Sequence, residues 1–141
     1  MVRSASAVWQ GDLKDGKGTF SAPSGVIKDA AYGFSTRFEN QPGTNPEELI
    51  AAAHSACFSM AFSAELGKLG LTPSHIETTA EVTLEPVDGK PTVTRSHLKT
   101  RARVPGADPA RFDQAAAAAK AGCPISRLLR AEITLEATLV G

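Results

Sequence analysis

The sequence predicts an α+β fold in which a largely antiparallel sheet packs on one long central helix. Three observations predict it. The stretch from Asn45 to about Lys68 opens with strong helix-start signals and closes near Gly67 and Gly70. The stretch "HIETTAEVTLEPVDGKPTVTRSHLKTRARV" alternates Val, Thr and Ile with charge on both sides of Asp88-Gly89, which reads as a long hairpin. The element order β-β-β-α-β-β-α-α-β keeps hairpins together instead of alternating strand with helix. No repeat, linker or low-complexity tract divides the 141 residues, so residues 1–141 read as a single domain.

In order along the chain, "ASAVWQGDL" and "KDGKGTFSAPSG" predict short strands around Val8–Trp9 and Thr19–Phe20. "YGFSTRFE" alternates Tyr32, Phe34, Thr36 and Phe38 against Gly33, Ser35, Arg37 and Glu39, which predicts a strand with Arg37 on its polar face. "ENQPGTNP" is a loop. In the helix that follows, Asn45 suits the N-cap, Pro46 the first turn, and Glu47 and Glu48 the positive dipole end. Glu48 is placed to close a capping box. The middle, "AAAHSAC", is made of small side chains that let another backbone approach, which marks this helix as central. "DPARFDQAAAAAKAG" is a second helix, with Asp108 as cap, Pro109 in its first turn and Gly122 past its end. "CPISRLLR" opens a short third helix, and "AEITLEATLVG" is a final strand.

Fifteen basic residues balance fifteen acidic ones, which argues against nucleic acid or an anionic membrane surface as partner. No apolar run is expected to span a membrane, and the first residues lack the apolar core of a signal peptide. The expected setting is the reducing cytoplasm, where a disulfide is more often transient and catalytic than structural.

The chemistry rests on two cysteines. Cys57 shares a helix face with Ile50, Ala53, Met60, Ala61 and Ala64, where a cysteine is commonly a small buried hydrophobe. Cys123 precedes Pro124 and therefore takes the N-cap of the third helix, where unpaired amides and the dipole lower a thiol pKa. A zinc site is conceivable from Cys57, Cys123, His54, His75 and His97, but none of the short paired spacings of zinc ligands is present. There is no Gly-x-Ser-x-Gly elbow and no phosphate loop.

"GFSTRFE", "TNPEELIAAAHSACFSMAF" and "AKAGCPIS" together resemble the OsmC/Ohr family of thiol-dependent hydroperoxide reductases, nearer the OsmC branch, and the resemblance runs from the Trp9 segment to the last strand. It implies that Cys57 attacks the peroxide, Cys123 resolves, Arg37 holds the Cys57 thiolate and Glu47 holds Arg37. It implies reduction of organic hydroperoxides, and of hydrogen peroxide as a further substrate, through a Cys57 sulfenic acid and a Cys57–Cys123 disulfide. The disulfide is reopened by an external dithiol such as a lipoylated protein, with no cofactor and no metal. It also implies an intertwined homodimer with two active sites at the subunit interface.

Physical chemistry qualifies these roles. Cys57 lies too far along its helix for that helix's own dipole to activate it. It needs a fixed cation, which Arg37 can supply. Glu47 precedes Cys57 by ten residues, about 15 Å along the axis and about 80° around it. It therefore acts through Arg37 or from another subunit. Phe58, Met60 and Phe62 are candidates for an apolar surround that favours organic peroxides. The competing classes are a non-catalytic, stress-linked binding or structural dimer with two inert thiols, and a zinc-binding domain.

Overall fold

The computed structural model describes residues 1–141, which form two compact units, Met1–Leu49 and Ile50–Gly141. In the first, β1 (Ser6–Gln10), β2 (Lys17–Ser21) and β3 (Ala30–Tyr32) form an antiparallel sheet in that order. Gly18 pairs with Trp9 on one side and Tyr32 on the other. A Cβ there would lie 2.4 Å from the Tyr32 ring and 2.8 Å from the Trp9 ring. Glycine thus lets the two rings close over the strand, with centroids 5.5 Å apart.

The strand expected across "YGFSTRFE" stops at Tyr32, and residues Phe34–Phe38 form a short helix, α1. The alternation misleads for a physical reason. Phe34 and Phe38 are four apart, so they share a face under a period of two and under a period of 3.6. Their rings pack at 5.0 Å on the helix. Thr36 decides between the two: its hydroxyl accepts the Gly33 N–H and donates to the Gly33 carbonyl, both at 3.0 Å, closing a turn. Arg37 consequently stands in the last turn of a helix, not on the polar face of a strand.

The long helix α2 spans Pro46–Lys68. Asn45 Oδ1 accepts the Glu48 N–H at 2.9 Å, the N-cap bond expected of it, and Asn45 Nδ2 donates to the Thr36 carbonyl at 3.0 Å. One side chain thus starts α2 and ties that start to α1.

In the second unit β4 (His75–Val87) and β5 (Lys90–Arg103) form the expected antiparallel hairpin. Asp88 and Gly89 turn it with φ of 50° and 75°, the left-handed pair a two-residue hairpin loop requires. β6 (Glu132–Val140) pairs with β5 in parallel, Arg95 opposite Glu132 through Arg103 opposite Val140. A parallel neighbour needs a crossover, which α3 (Pro109–Gly122) and α4 (Pro124–Leu128) supply.

β5 turns Ser96, Leu98, Thr100 and Ala102 inward. Phe58, Phe62 and Leu66 of α2 and Phe112, Ala115, Ala116 and Ala119 of α3 complete this core. Phe62 meets Phe112 edge-on at 5.2 Å. Contrary to the sequence expectation, α2 is long and apolar enough to cross a membrane by length and composition, with a mean hydropathy of 1.3. Here Phe58, Phe62 and Leu66 build the core, and His54–Ser96 and Ser59–Thr78 hydrogen bonds join the helix to the sheet.

Candidate active site

α2 carries Cys57 and the α3–α4 junction carries Cys123, both within Ile50–Gly141. Pro124 cannot continue α3, and the chain bends at Cys123 with φ −53° and ψ 127°. The Cys123 N–H still bonds the Ala119 carbonyl, and its own carbonyl accepts the Arg127 N–H. Cys123 thus ends one helix and begins the next, with its side chain directed at α2.

The two sulfurs lie 3.0 Å apart as free thiols, Cys123 Sγ donating to Cys57 Sγ. A disulfide bond is about 2.05 Å, so roughly 1 Å of approach separates this reduced pair from the oxidised one. The two thiols differ in access: Cys57 is half-buried and Cys123 fully buried. Only Cys57 can meet a reagent from outside, while Cys123 can react only with what forms on Cys57.

The amides of α4 do not serve Cys123, as its N-cap position suggests; Cys123 makes no side-chain cap bond. The Ile125 backbone amide acts instead on Cys57, where it favours the thiolate. Burial, and then the hydrogen bond and charge of Cys123, push the other way, so the Cys57 pKa stands above its ordinary value. Within its own unit, then, Cys57 is well placed for disulfide chemistry but is not activated.

The second pair belongs to Met1–Leu49. Arg37 Nε donates to both Glu47 carboxylate oxygens at 3.1 Å, and Nη2 donates to Oε1 at 2.7 Å. Glu47 is buried, whereas the Arg37 side chain is 37% exposed. The guanidinium is therefore gripped from one side and open on the other. The pairing occurs within one chain because α1 and the first turn of α2 are tied by Asn45. Arg37 also lines a mostly apolar cavity of about 280 Å³ with Trp9, Leu13, Tyr32, Phe34 and Phe38.

Two of the aromatic residues expected around Cys57, Phe58 and Phe62, are fully buried in the core, and Met60 is 77% exposed. Phe58 and Phe62 are four apart and share the core face, whereas Met60, two residues from each, falls on the opposite side of the helix. The drawn zinc set does not assemble: no three His, Cys, Asp or Glu side chains converge. His97 Nδ1 bonds Thr134 Oγ1 at 2.6 Å, and both ring nitrogens of His54 are engaged elsewhere.

His54 is the residue whose role the sequence did not reveal. It is 0% exposed, with Nδ1 2.7 Å from Ser96 Oγ and Nε2 2.8 Å from Ser126 Oγ. Its visible signal is the spacing: His54 stands three before Cys57, and Ser126 three after Cys123. Burial lowers the His54 pKa from 6.5. The unfolded chain therefore takes up a proton near pH 6.5 that the folded chain refuses. Stability present above that pH is lost as pH falls through it. Urea midpoints should drop between pH 7 and pH 5 more steeply for the native chain than for His54→Asn. Equal pH slopes would show that His54 does not couple folding to protons.

A half-exposed thiol backed at 3.0 Å by a buried one, on an α+β scaffold, is an arrangement suited to dithiol redox chemistry. The family model described as OsmC-like protein matches residues 38–138, and the chain belongs to that family. It is 54% identical over 134 residues to the peroxiredoxin OsmC of Escherichia coli, covering 95% of this chain and 94% of that one. In fold it is similar to an OsmC-like protein of unknown function from Vibrio cholerae, with a TM-score of 0.72 and 19% identity over 96% and 99% of the two chains. It is likewise similar to the organic hydroperoxide resistance protein OhrB of Bacillus subtilis, with a TM-score of 0.68 and 23% identity over 97% and 98%.

Proposed function

We infer that the chain is a thiol-dependent peroxidase that reduces organic hydroperoxides. The observation that carries this is the free Cys57–Cys123 pair at 3.0 Å, one thiol accessible and one buried, in a chain 54% identical to a peroxiredoxin. The Cys57 thiolate attacks one oxygen of ROOH, the O–O bond breaks, and ROH leaves after taking up a proton. Cys123 then attacks the Cys57 sulfenic acid, water leaves and the disulfide closes. An external dithiol, a lipoylated protein among the candidates, reduces it by exchange. A reducing compartment, the cytoplasm, suits two resting thiols.

Burial alone leaves Cys57 short of the thiolate it needs. We assign the missing cation to Arg37, held in its fork by Glu47. The two compact units are then one OsmC domain that completes its site in an intertwined homodimer. Two observations support the dimer. Only 22% of the most apolar window of α2 is buried within the chain. Its exposed face is made of small residues, Ala52, Ala53, Ala56, Ser63 and Ala64, around Met60. Sedimentation at micromolar concentration should give a species of twice 14.7 kDa. A fully active single chain would rule out a site shared between subunits.

The function itself is tested by turnover with cumene and tert-butyl hydroperoxides against hydrogen peroxide, supplied with a dithiol. Faster reduction of the organic peroxides is expected, because the Arg37 cavity is walled by aromatic residues. No turnover with any peroxide, and thiols inert to alkylation, would return the chain to the class of non-catalytic dimers.

A further inference from the structure

α2 and α4 are tied to each other twice. Cys57 meets Cys123, and three residues away on each helix His54 meets Ser126. The second tie is the better anchored. Ser126 is the only buried residue of the five in α4, and Leu128 is 74% exposed, so no fully buried apolar side chain fastens this helix. His54 has no freedom to turn, because its other nitrogen is held by Ser96 on β5. Every buried polar side-chain atom here has a partner, and a fully satisfied buried network specifies one arrangement of the elements it joins.

The first tie is the one that chemistry consumes. When Cys57 becomes a sulfenic acid, the thiol–thiol hydrogen bond is lost and an oxygen is added between the helices. Cys123 must nevertheless remain on the sulfur.

We propose that His54 is a positioning residue for the resolving step: through Ser126 it latches α4 to α2, so that Cys123 captures the Cys57 sulfenic acid before a second peroxide does. The inference rests on the proposed roles of the two cysteines. The captured outcome is Cys57–SOH + Cys123–SH → Cys57–S–S–Cys123 + H₂O. The S–S bond forms as the S–O bond breaks, and the Cys123 proton leaves in the water. The competing outcome is Cys57–SOH + ROOH → Cys57–SO₂H + ROH, which an external dithiol does not reverse. His54 touches neither peroxide nor sulfur. Its effect lies wholly in the fraction of sulfenic acid that reaches the disulfide.

That fraction can be read directly. The reduced full-length protein is mixed with cumene hydroperoxide in the presence of dimedone, which alkylates sulfenic acids. Mass spectrometry then gives Cys57 adduct plus sulfinic acid, divided by disulfide. The ratio counts only molecules that reached the sulfenic acid, so loss of folded protein or a slower first attack does not move it. In Ser126→Ala and His54→Gln the ratio should rise about tenfold, the equivalent of ~1.4 kcal/mol and the scale of one lost hydrogen bond. Ser126→Thr keeps the hydroxyl and should stay within about twofold of the native chain. An unchanged ratio in Ser126→Ala overturns the latch, whether or not His54→Gln folds. A ratio as high in Ser126→Thr as in Ser126→Ala overturns it too, since packing rather than the hydrogen bond would then be at work. If the native chain forms neither adduct nor disulfide, the reading of the two cysteines fails, and the latch fails with it.

Discussion

Cys57→Ser should reduce peroxide turnover to the uncatalysed rate, while Cys123→Ser should react once with peroxide and then stall as a sulfenic acid or over-oxidise. The asymmetry follows from access and not from the thiols themselves. Cys57 is half-exposed and can take an oxygen from outside, whereas Cys123 is buried behind it at 3.0 Å. A hydroxyl at position 57 is too weak a nucleophile at neutral pH. A hydroxyl at position 123 leaves the first attack intact but removes the only group that can capture the sulfenic acid. That variant should then accumulate sulfenic acid and go on to sulfinic acid with excess peroxide. Stopped-flow consumption of cumene hydroperoxide, with mass spectrometry of the protein, separates the two. Normal multiple turnover in Cys57→Ser would reassign the nucleophile.

Arg37→Ala should move the Cys57 alkylation curve to higher pH and slow peroxide attack at neutral pH. Burial and Cys123 already raise this thiol, and the Ile125 amide only partly opposes them. The one strong stabiliser left to assign is a cation. An opposite charge close to an ionisable group is worth about one to three pKa units. Its loss should therefore cut the thiolate fraction at pH 7 about ten- to a thousandfold. The direction follows from the charge: without the guanidinium the neutral thiol persists to higher pH, so reactivity at a fixed neutral pH falls. Arg37→Lys should recover part of the loss, since an ammonium restores the charge but not the fork that meets both Glu47 oxygens. Glu47→Ala should cost less than Arg37→Ala, because the cation remains while losing its buried anchor. The measurement is iodoacetamide alkylation against pH in a Cys123→Ser background, which also removes the upward push of that neighbour. Superimposable curves with and without Arg37 would take the arginine out of the mechanism.

Much of this was legible in the chain itself, and the reason is local. Helix starts are written in one or two residues, so Asn45-Pro46 and Asp108-Pro109 mark α2 and α3. A hairpin is written in its turn, so Asp88-Gly89 marks β4 and β5. The pairing of Cys57 with Cys123 was legible only as a resemblance, because no spacing rule joins residues 66 positions apart.

What the sequence by itself determined is the long helix, the hairpin, the two later helices and the last strand, together with two thiols in distinct local settings. The tertiary structure decided what those settings mean. The period shared by Phe34 and Phe38 could not choose between strand and helix until the Thr36 hydroxyl closed on Gly33. Cys123 holds the N-cap position yet makes no side-chain cap bond, and the α4 amide at Ile125 favours the Cys57 thiolate instead. His54 reads as a stray histidine until Ser96 and Ser126, 42 and 72 residues away, take up its two nitrogens. For the two thiols and for His54 the deciding partner is a group brought in from far along the chain, whose position depends on the fold. Intrinsic propensity and periodicity report only on neighbours a few residues apart, and therefore cannot register it.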